Sequence, residues 1–112
     1  MHELSLMESA ISAALERAEE EHATQILKIV LRVGTLSGVD PDALRFAFDV
    51  VSENTIAAGA TLEILEIAVV CGCETCGRFE PKHHDFTCPV SRDHRTKVVS
   101  GMELEIASME IR

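Results

Sequence analysis

All four cysteines of this 112-residue chain, Cys71, Cys73, Cys76 and Cys88, fall within 18 consecutive positions, with none before or after. A secreted disulfide protein spreads its cysteines to staple distant segments, whereas clustered thiols in a reducing compartment point to a metal. The stretch that holds them, residues 71–100, is rich in Cys, His, Arg and Gly and poor in large aliphatics. Such a segment buries too little apolar surface to fold unaided, so a metal is expected to hold it. The chain has room for one compact domain with a small metal-held appendage.

The flanking segments show ordinary core periodicity. Leu4, Met7, Ile11, Ala14, Leu15 and Ala18 recur at three- and four-residue steps, which predicts a helix over 4–21 with Glu8, Ser12, Glu16, Glu19 and Glu20 solvated. From Gln25 to Val33 the period becomes two, with Leu27, Ile29, Leu31 and Val33 on one face and Lys28 and Arg32 on the other. After the Gly34–Gly38 break, Asp40-Pro41 reads as an N-cap followed by a residue pre-set for the first helical position. Leu44, Ala47, Phe48 and Val51 form the buried stripe of that second helix. Thr61 to Val70 is expected to be a strand, and Met102, Leu104 and Ile106 begin a third. Met109 and Ile111 continue it on odd positions, a slip that predicts a bulge near Ala107-Ser108. The expected fold is α/β (α+β): two helices on a three-stranded sheet, residues 1–70 and 101–112, with a zinc-ribbon-like insert at 71–100.

Composition narrows the function. Nineteen Asp and Glu against ten Lys and Arg leave a net charge of −9, which argues against a nucleic-acid partner. Aromatic content of 4%, with no Trp or Tyr, argues against stacking platforms for bases or sugars. Hydrophobic content of 46% excludes a disordered acidic chain. No apolar run is long enough for a membrane span, and Met1-His2-Glu3 does not resemble a signal peptide, so a cytoplasmic location is expected. Nothing supplies a nucleophile–base pair, so no enzymatic activity is expected.

Within the insert, Cys73-Glu-Thr-Cys76-Gly77 places two sulfurs on one side of a tight knuckle, with a Gly able to take the positive φ behind it. Cys88-Pro-Val-Ser91 has the shape of a second knuckle, but its fourth position is a hydroxyl, which ionises too weakly to ligate zinc. The expected zinc ligands are Cys73, Cys76 and Cys88, with Cys71 and His94 as equal candidates for the fourth. His94 lies within zinc-finger spacing of Cys88, whereas His83 and His84 sit at the tip of the intervening loop. The competing role is a redox pair, for which a following helix is expected, and Gly77 and Pro81 oppose one.

The N-terminus offers a second donor set. The Met1 amine, the His2 amide nitrogen and the His2 imidazole can close adjacent chelate rings, a nitrogen-rich donation suited to Ni²⁺ or Cu²⁺. The competing role for His2 is a solvated or capping residue.

Several motifs together resemble one family. Met-His-Glu-Leu-Ser-Leu at the start, Gly34-Thr-Leu-Ser-Gly-Val39 followed by Asp-Pro, Leu44-Arg-Phe-Ala-Phe48, Gly59-Ala-Thr-Leu-Glu-Ile64 and the Cys-X-X-Cys insert with its closing Glu-Leu-Glu-Ile strand resemble the HypA/HybF hydrogenase nickel-incorporation proteins. The resemblance runs over essentially the whole chain. It implies a metallochaperone that delivers Ni²⁺ to the large subunit of [NiFe] hydrogenase, with a HypB-type GTPase as partner and urease maturation as a second destination. It implies nickel binding by His2 and Glu3, assisted by Asp40, whose competing role is the helix N-cap. It implies a structural zinc, but Ser91 stands where the family has its fourth zinc Cys. Either the zinc site is remodelled in this chain or Ser91 is an engineered near-isostere of Cys. The rival function is a zinc-ribbon adaptor that works by docking alone, with no nickel site of its own.

Overall fold

The computed structural model describes residues 2–83 and 85–112 and, of His2, the backbone alone. Helix α1 spans His2–Glu20, and its buried stripe is Met7, Ile11, Ala14 and Ala18. The five polar positions expected to face solvent are exposed. The helix ends where His22 turns left-handed (φ 58°) and its amide donates to the Glu19 carbonyl at 3.0 Å.

Strand β1 (Ile26–Gly34) is central to a three-stranded sheet. Strand β2 (Thr61–Ile67) pairs parallel to it, and the last strand, Leu104–Ile111, pairs antiparallel on the other side. The parallel pair requires a crossover, and α2 (Pro41–Ser52) supplies it. As its sequence predicts, α2 is capped by Asp40, whose carboxylate accepts from the Asp42 amide at 2.9 Å, with Pro41 at the first turn. Leu44, Ala47 and Phe48 bury against the sheet and α1 in one shared core. The opposite sheet face is polar, with Lys28 3.2 Å from Glu63 and Arg32 3.5 Å from Glu105.

Two details refine the strand reading. The expected bulge is present: Val30 faces Ser108 and Leu31 faces Ile106, leaving Ala107 unmatched. It restores Met109 and Ile111 to the core side after Ile106. A second irregularity was not expected. Ile26 faces Ile111 and Lys28 faces Glu110, so Leu27 is extra. Leu27 is accordingly half-buried, and Ile26, at 0% exposure, takes the core place that strict alternation assigned to Leu27.

The expected strand 61–70 is also two elements. It breaks at Ala68-Val69, and β3 (Val70–Cys73) joins a second sheet with β4 (Gly77–Phe79) and β5 (Thr96–Ser100), in the order β4-β3-β5. The closing strand Leu104–Ile111 is β6. The chain passes between the sheets at one crossing. There Gly34 donates to Glu103 and Leu36 to Gly101, both at 2.7 Å, and the Glu103 carboxylate accepts from the Gly101 amide at 2.7 Å.

Glycine is needed on both sides of that crossing. A Cβ on Gly34 would fall on the Gly101 carbonyl, and Gly101 itself sits at φ 110° with the Val69 Cα 2.8 Å from where its own Cβ would stand. Gly34→Ala should therefore destabilise the protein by about 1–3 kcal/mol through overpacking. Urea unfolding followed by circular dichroism checks it, and an unchanged midpoint would mean that the crossing is looser than this contact requires.

Candidate metal centre

Cys73 ends β3, and Cys76 closes the turn into β4, where Gly77 takes the expected positive φ of 88°. The remaining groups come from the long β4–β5 loop. Thr96 Oγ1 donates to the Phe86 carbonyl at 2.7 Å and ties this loop to β5. Asp85 organises its middle, accepting from the Thr87 hydroxyl at 2.6 Å and the Thr87 amide at 3.1 Å. Those two donors hold its carboxyl below the usual range.

Ser91 builds the rest of the site without joining it. Its hydroxyl accepts from the Asp93 amide at 3.3 Å, and its carbonyl accepts from the His94 amide at 3.2 Å. The turn so formed carries the His94 ring inward. Its Nδ1 lies 3.4 Å from Cys88 Sγ and 3.6 Å from Cys76 Sγ. Cys73, Cys76, Cys88 and His94 each place a donor atom within 4.8 Å of the other three.

Those separations fit a tetrahedron. With metal–sulfur bonds of about 2.3 Å and a metal–nitrogen bond of about 2.0–2.1 Å, tetrahedral geometry sets S···N at about 3.5 Å. The two observed distances bracket that value. The donor set thus has the shape of a four-coordinate metal site, with three thiols and one imidazole.

The electrostatics also favour deprotonation on one side. The Ser91 amide, and after it the Val90 amide, hold the Cys88 thiol down to about 6, with His94 and Cys73 adding to the effect. Cys76 is pushed up to about 11 by desolvation within the cluster and by its hydrogen bonds to Cys88 and Cys73. A cation placed among them would reverse that crowding, since a metal ion releases the thiol protons.

Cys71, weighed equally with His94 from sequence, is not part of this group. It points to the same face of β3 as Cys73 but lies two residues away, about 6.6–7 Å along a strand. It is fully buried, opposite Phe79 on one side and Val98 on the other, and burial pushes its thiol up. It packs as a small apolar side chain. His83 is exposed at the loop tip, outside the cluster, and His84 lies outside the described residues.

At the other end of the sequence, the structure joins two segments that are 37 positions apart. The Glu3 carboxylate accepts from the Asp40 amide at 3.4 Å, so the first turn of α1 meets the N-cap of α2. Asp40 fills the capping role, and Glu3 reaches across to the other helix rather than serving only its own. His2 opens α1, while its side chain and the Met1 amine lie outside the described residues.

Comparison with known proteins supplies the family. The family described as hydrogenase/urease nickel incorporation, metallochaperone, hypA matches residues 1–111. The chain belongs to the HypA family. Hydrogenase maturation factor HypA of Rhizobium leguminosarum bv. viciae is 43% identical over 112 residues, and that of Chlorobium phaeobacteroides (strain BS1) is 41% identical, each alignment covering 99% of both chains. The solution structure of the Ni metallochaperone HypA from Helicobacter pylori superposes with a TM-score of 0.73 at 26% identity, covering 97% of this chain and 96% of that one. A second HypA solution structure gives 0.79 at 27% identity, covering 100% and 97%. The fold expected from sequence, two helices on a three-stranded sheet with a small cysteine-bearing insert, is that of these HypA structures.

His94→Ala should speed metal loss to a chelator at least several-fold, while Cys71→Ser should not, because only His94 stands at bonding distance. Adding Ser91→Cys to His94→Ala should restore retention, since the knuckle 88–91 then supplies a fourth thiolate. Metal release to a chromogenic chelator checks all three, and retention that depends on Cys71 would displace His94. The same assay run against pH should show affinity falling as pH drops. The fall should steepen below about 6, where protons compete for Cys88.

Proposed function

We propose that this HypA-family chain carries nickel at its N-terminus and delivers it to the large subunit of [NiFe] hydrogenase, working with a HypB-type GTPase. His2 supplies the imidazole and an amide nitrogen, Met1 its amine, and Glu3 a carboxylate, with Asp40 assisting. The observation that supports this most directly is the contact between Glu3 and Asp40, which brings two acidic side chains of distant segments to the point where α1 begins. Nitrogen-rich donation beside those carboxylates suits Ni²⁺ better than Mg²⁺ or Ca²⁺. A site on the first residues of a helix, with few protein contacts, favours exchange over storage. Since the family description names urease as well as hydrogenase, a urease maturation protein is a second destination for the metal.

In the same proposal, Cys73, Cys76, Cys88 and His94 hold a structural zinc. Zinc favours tetrahedral sites closed by thiolates and imidazole, and nothing in the group leaves an open position for chemistry. Residues 71–100 then form a unit whose folding free energy comes largely from the metal, separate from the nickel-binding body of residues 1–70 and 101–112.

Nickel titration followed by visible absorbance tests the assignment on protein with its native N-terminus. His2→Ala should abolish specific binding. One residue added before Met1 should weaken it, because an amide that must lose a proton replaces the free amine. Glu3→Ala should cost less than His2→Ala, and zinc content should stay unchanged in all three. Equal affinity across the set would leave an adaptor that works by docking alone.

A further inference from the structure

Charge is divided unevenly along this chain. Five of its ten Lys and Arg but only four of its nineteen Asp and Glu lie in residues 71–100, so that stretch is +1 and the other 82 residues carry −10. A zinc ion on three thiolates and a neutral imidazole would bring the insert to zero and leave the contrast in place.

The cations of the two parts are also used differently. In the body, every one is engaged: Arg17 with Glu20 and Glu21, Lys28 with Glu63, Arg32 with Glu105, Arg45 with the Leu62 carbonyl at 2.8 Å, and Arg112 with Gln25. In the insert, among the described residues, only Arg92 reaches a carboxylate, Asp85 at 3.8 Å. Among the described residues, no carboxylate oxygen lies within 4 Å of Arg78, Lys82, Arg95 or Lys97.

Three of those four free cations line one hollow. On the sheet β4-β3-β5, Gly72 is matched by Arg78 on one side and Lys97 on the other, so both side chains rise from the same face with nothing between them. Val99 follows Lys97 at a two-residue step along β5, on that face as well, and Arg95, just before β5, lines the same hollow. A Cβ on Gly72 would stand 3.1 Å from the Val99 Cγ2, so glycine keeps the floor open. The open hollow measures about 670 Å³, with Glu74 the one acidic side chain on its rim.

We infer that this Gly72-floored trough is a docking surface for an extended acidic segment of a partner protein. Arg78 and Lys97 stand two strand widths apart across Gly72 and Arg95 lines the same hollow, so the three unpaired cations offer partners to several carboxylates of one extended peptide, with Val99 an apolar contact beside Lys97. A nucleic acid is the less favoured polyanion: the remaining 82 residues carry −10, which repels a long phosphate chain running past the trough more strongly than a short peptide confined to it. The surface lies on the opposite face of β3 from the Cys73 side chain. It therefore depends on the metal only for the folding of the insert and is independent of the nickel site.

The experiment uses the full zinc-loaded chain and a fluorescein-labelled peptide of alternating Glu and Val, about eight residues long. Fluorescence anisotropy should show binding that weakens as salt rises from about 50 to about 300 mM. Arg78→Gln with Lys97→Gln should weaken it about tenfold, while Lys82→Gln with Arg92→Gln, outside the trough, should stay within about twofold. Arg95→Gln, outside the strands, gives an independent reading should the first pair disturb the sheet, and zinc content monitors the fold. Equal losses from both pairs, or equal binding of a Gln-for-Glu peptide, would overturn the proposal. So would tighter binding of a single-stranded oligonucleotide of similar length, or concentration-dependent self-association abolished by the same substitutions without any peptide binding.

Discussion

The return of the last strand to the first governs the layout of the molecule. β6 pairs antiparallel with β1 while β2 occupies the other edge of β1, so the body closes only after the chain has come back from wherever residue 68 sent it. Every residue between β2 and β6 is consequently an excursion. It leaves and re-enters at one place, where Gly34, Gly101 and Val69 pack backbone against backbone. Two separate three-stranded sheets are thereby built on a single chain, joined by a contact too close for any side chain at residue 34.

The excursion has little core of its own, and its order is concentrated in polar contacts. Among its described residues Cys71 is the one side chain with no exposure, while the other thiols converge on His94. Ser91 occupies the position of a knuckle ligand but acts through hydrogen bonds instead, its hydroxyl and carbonyl folding the next three residues into a turn. That turn sets a histidine where a fourth thiolate would otherwise stand. The hydroxyl at residue 91 is thus followed three residues later by an imidazole that reaches the thiols at tetrahedral spacing.

Much of this was legible beforehand because the signals are local. Helix periodicity, the Asp40-Pro41 start, the two knuckles and the phase slip at Ala107 each lie within a few residues of one another. The second irregularity, at Leu27, left no such mark, since Ile26 and Leu27 are both apolar and either can open the buried face that continues with Ile29, Leu31 and Val33. Only the partner strand decides, and Ile111 faces Ile26. The break at Ala68-Val69 was hidden for a similar reason. Apolar residues continue through Val70, and nothing in their order says that the sheet they join has changed.

The sequence by itself determined the composition of both parts, the segments that fold as helix and strand, and the donor types available to a metal. It also determined the family, since the motifs are spread over the whole chain in order. The tertiary structure decided which donors meet. Cys71 and His94 were equal along the chain, but a strand repeat carries Cys71 away from the knuckle while the Ser91 turn carries His94 into it. It decided that Glu3 reaches the amide of Asp40, and that Arg78 and Lys97 stand on either side of Gly72. The reason is common to all three. Periodicity records how a segment treats water, whereas coordination, capping and charge pairing depend on distances between atoms that the chain brings together only by folding.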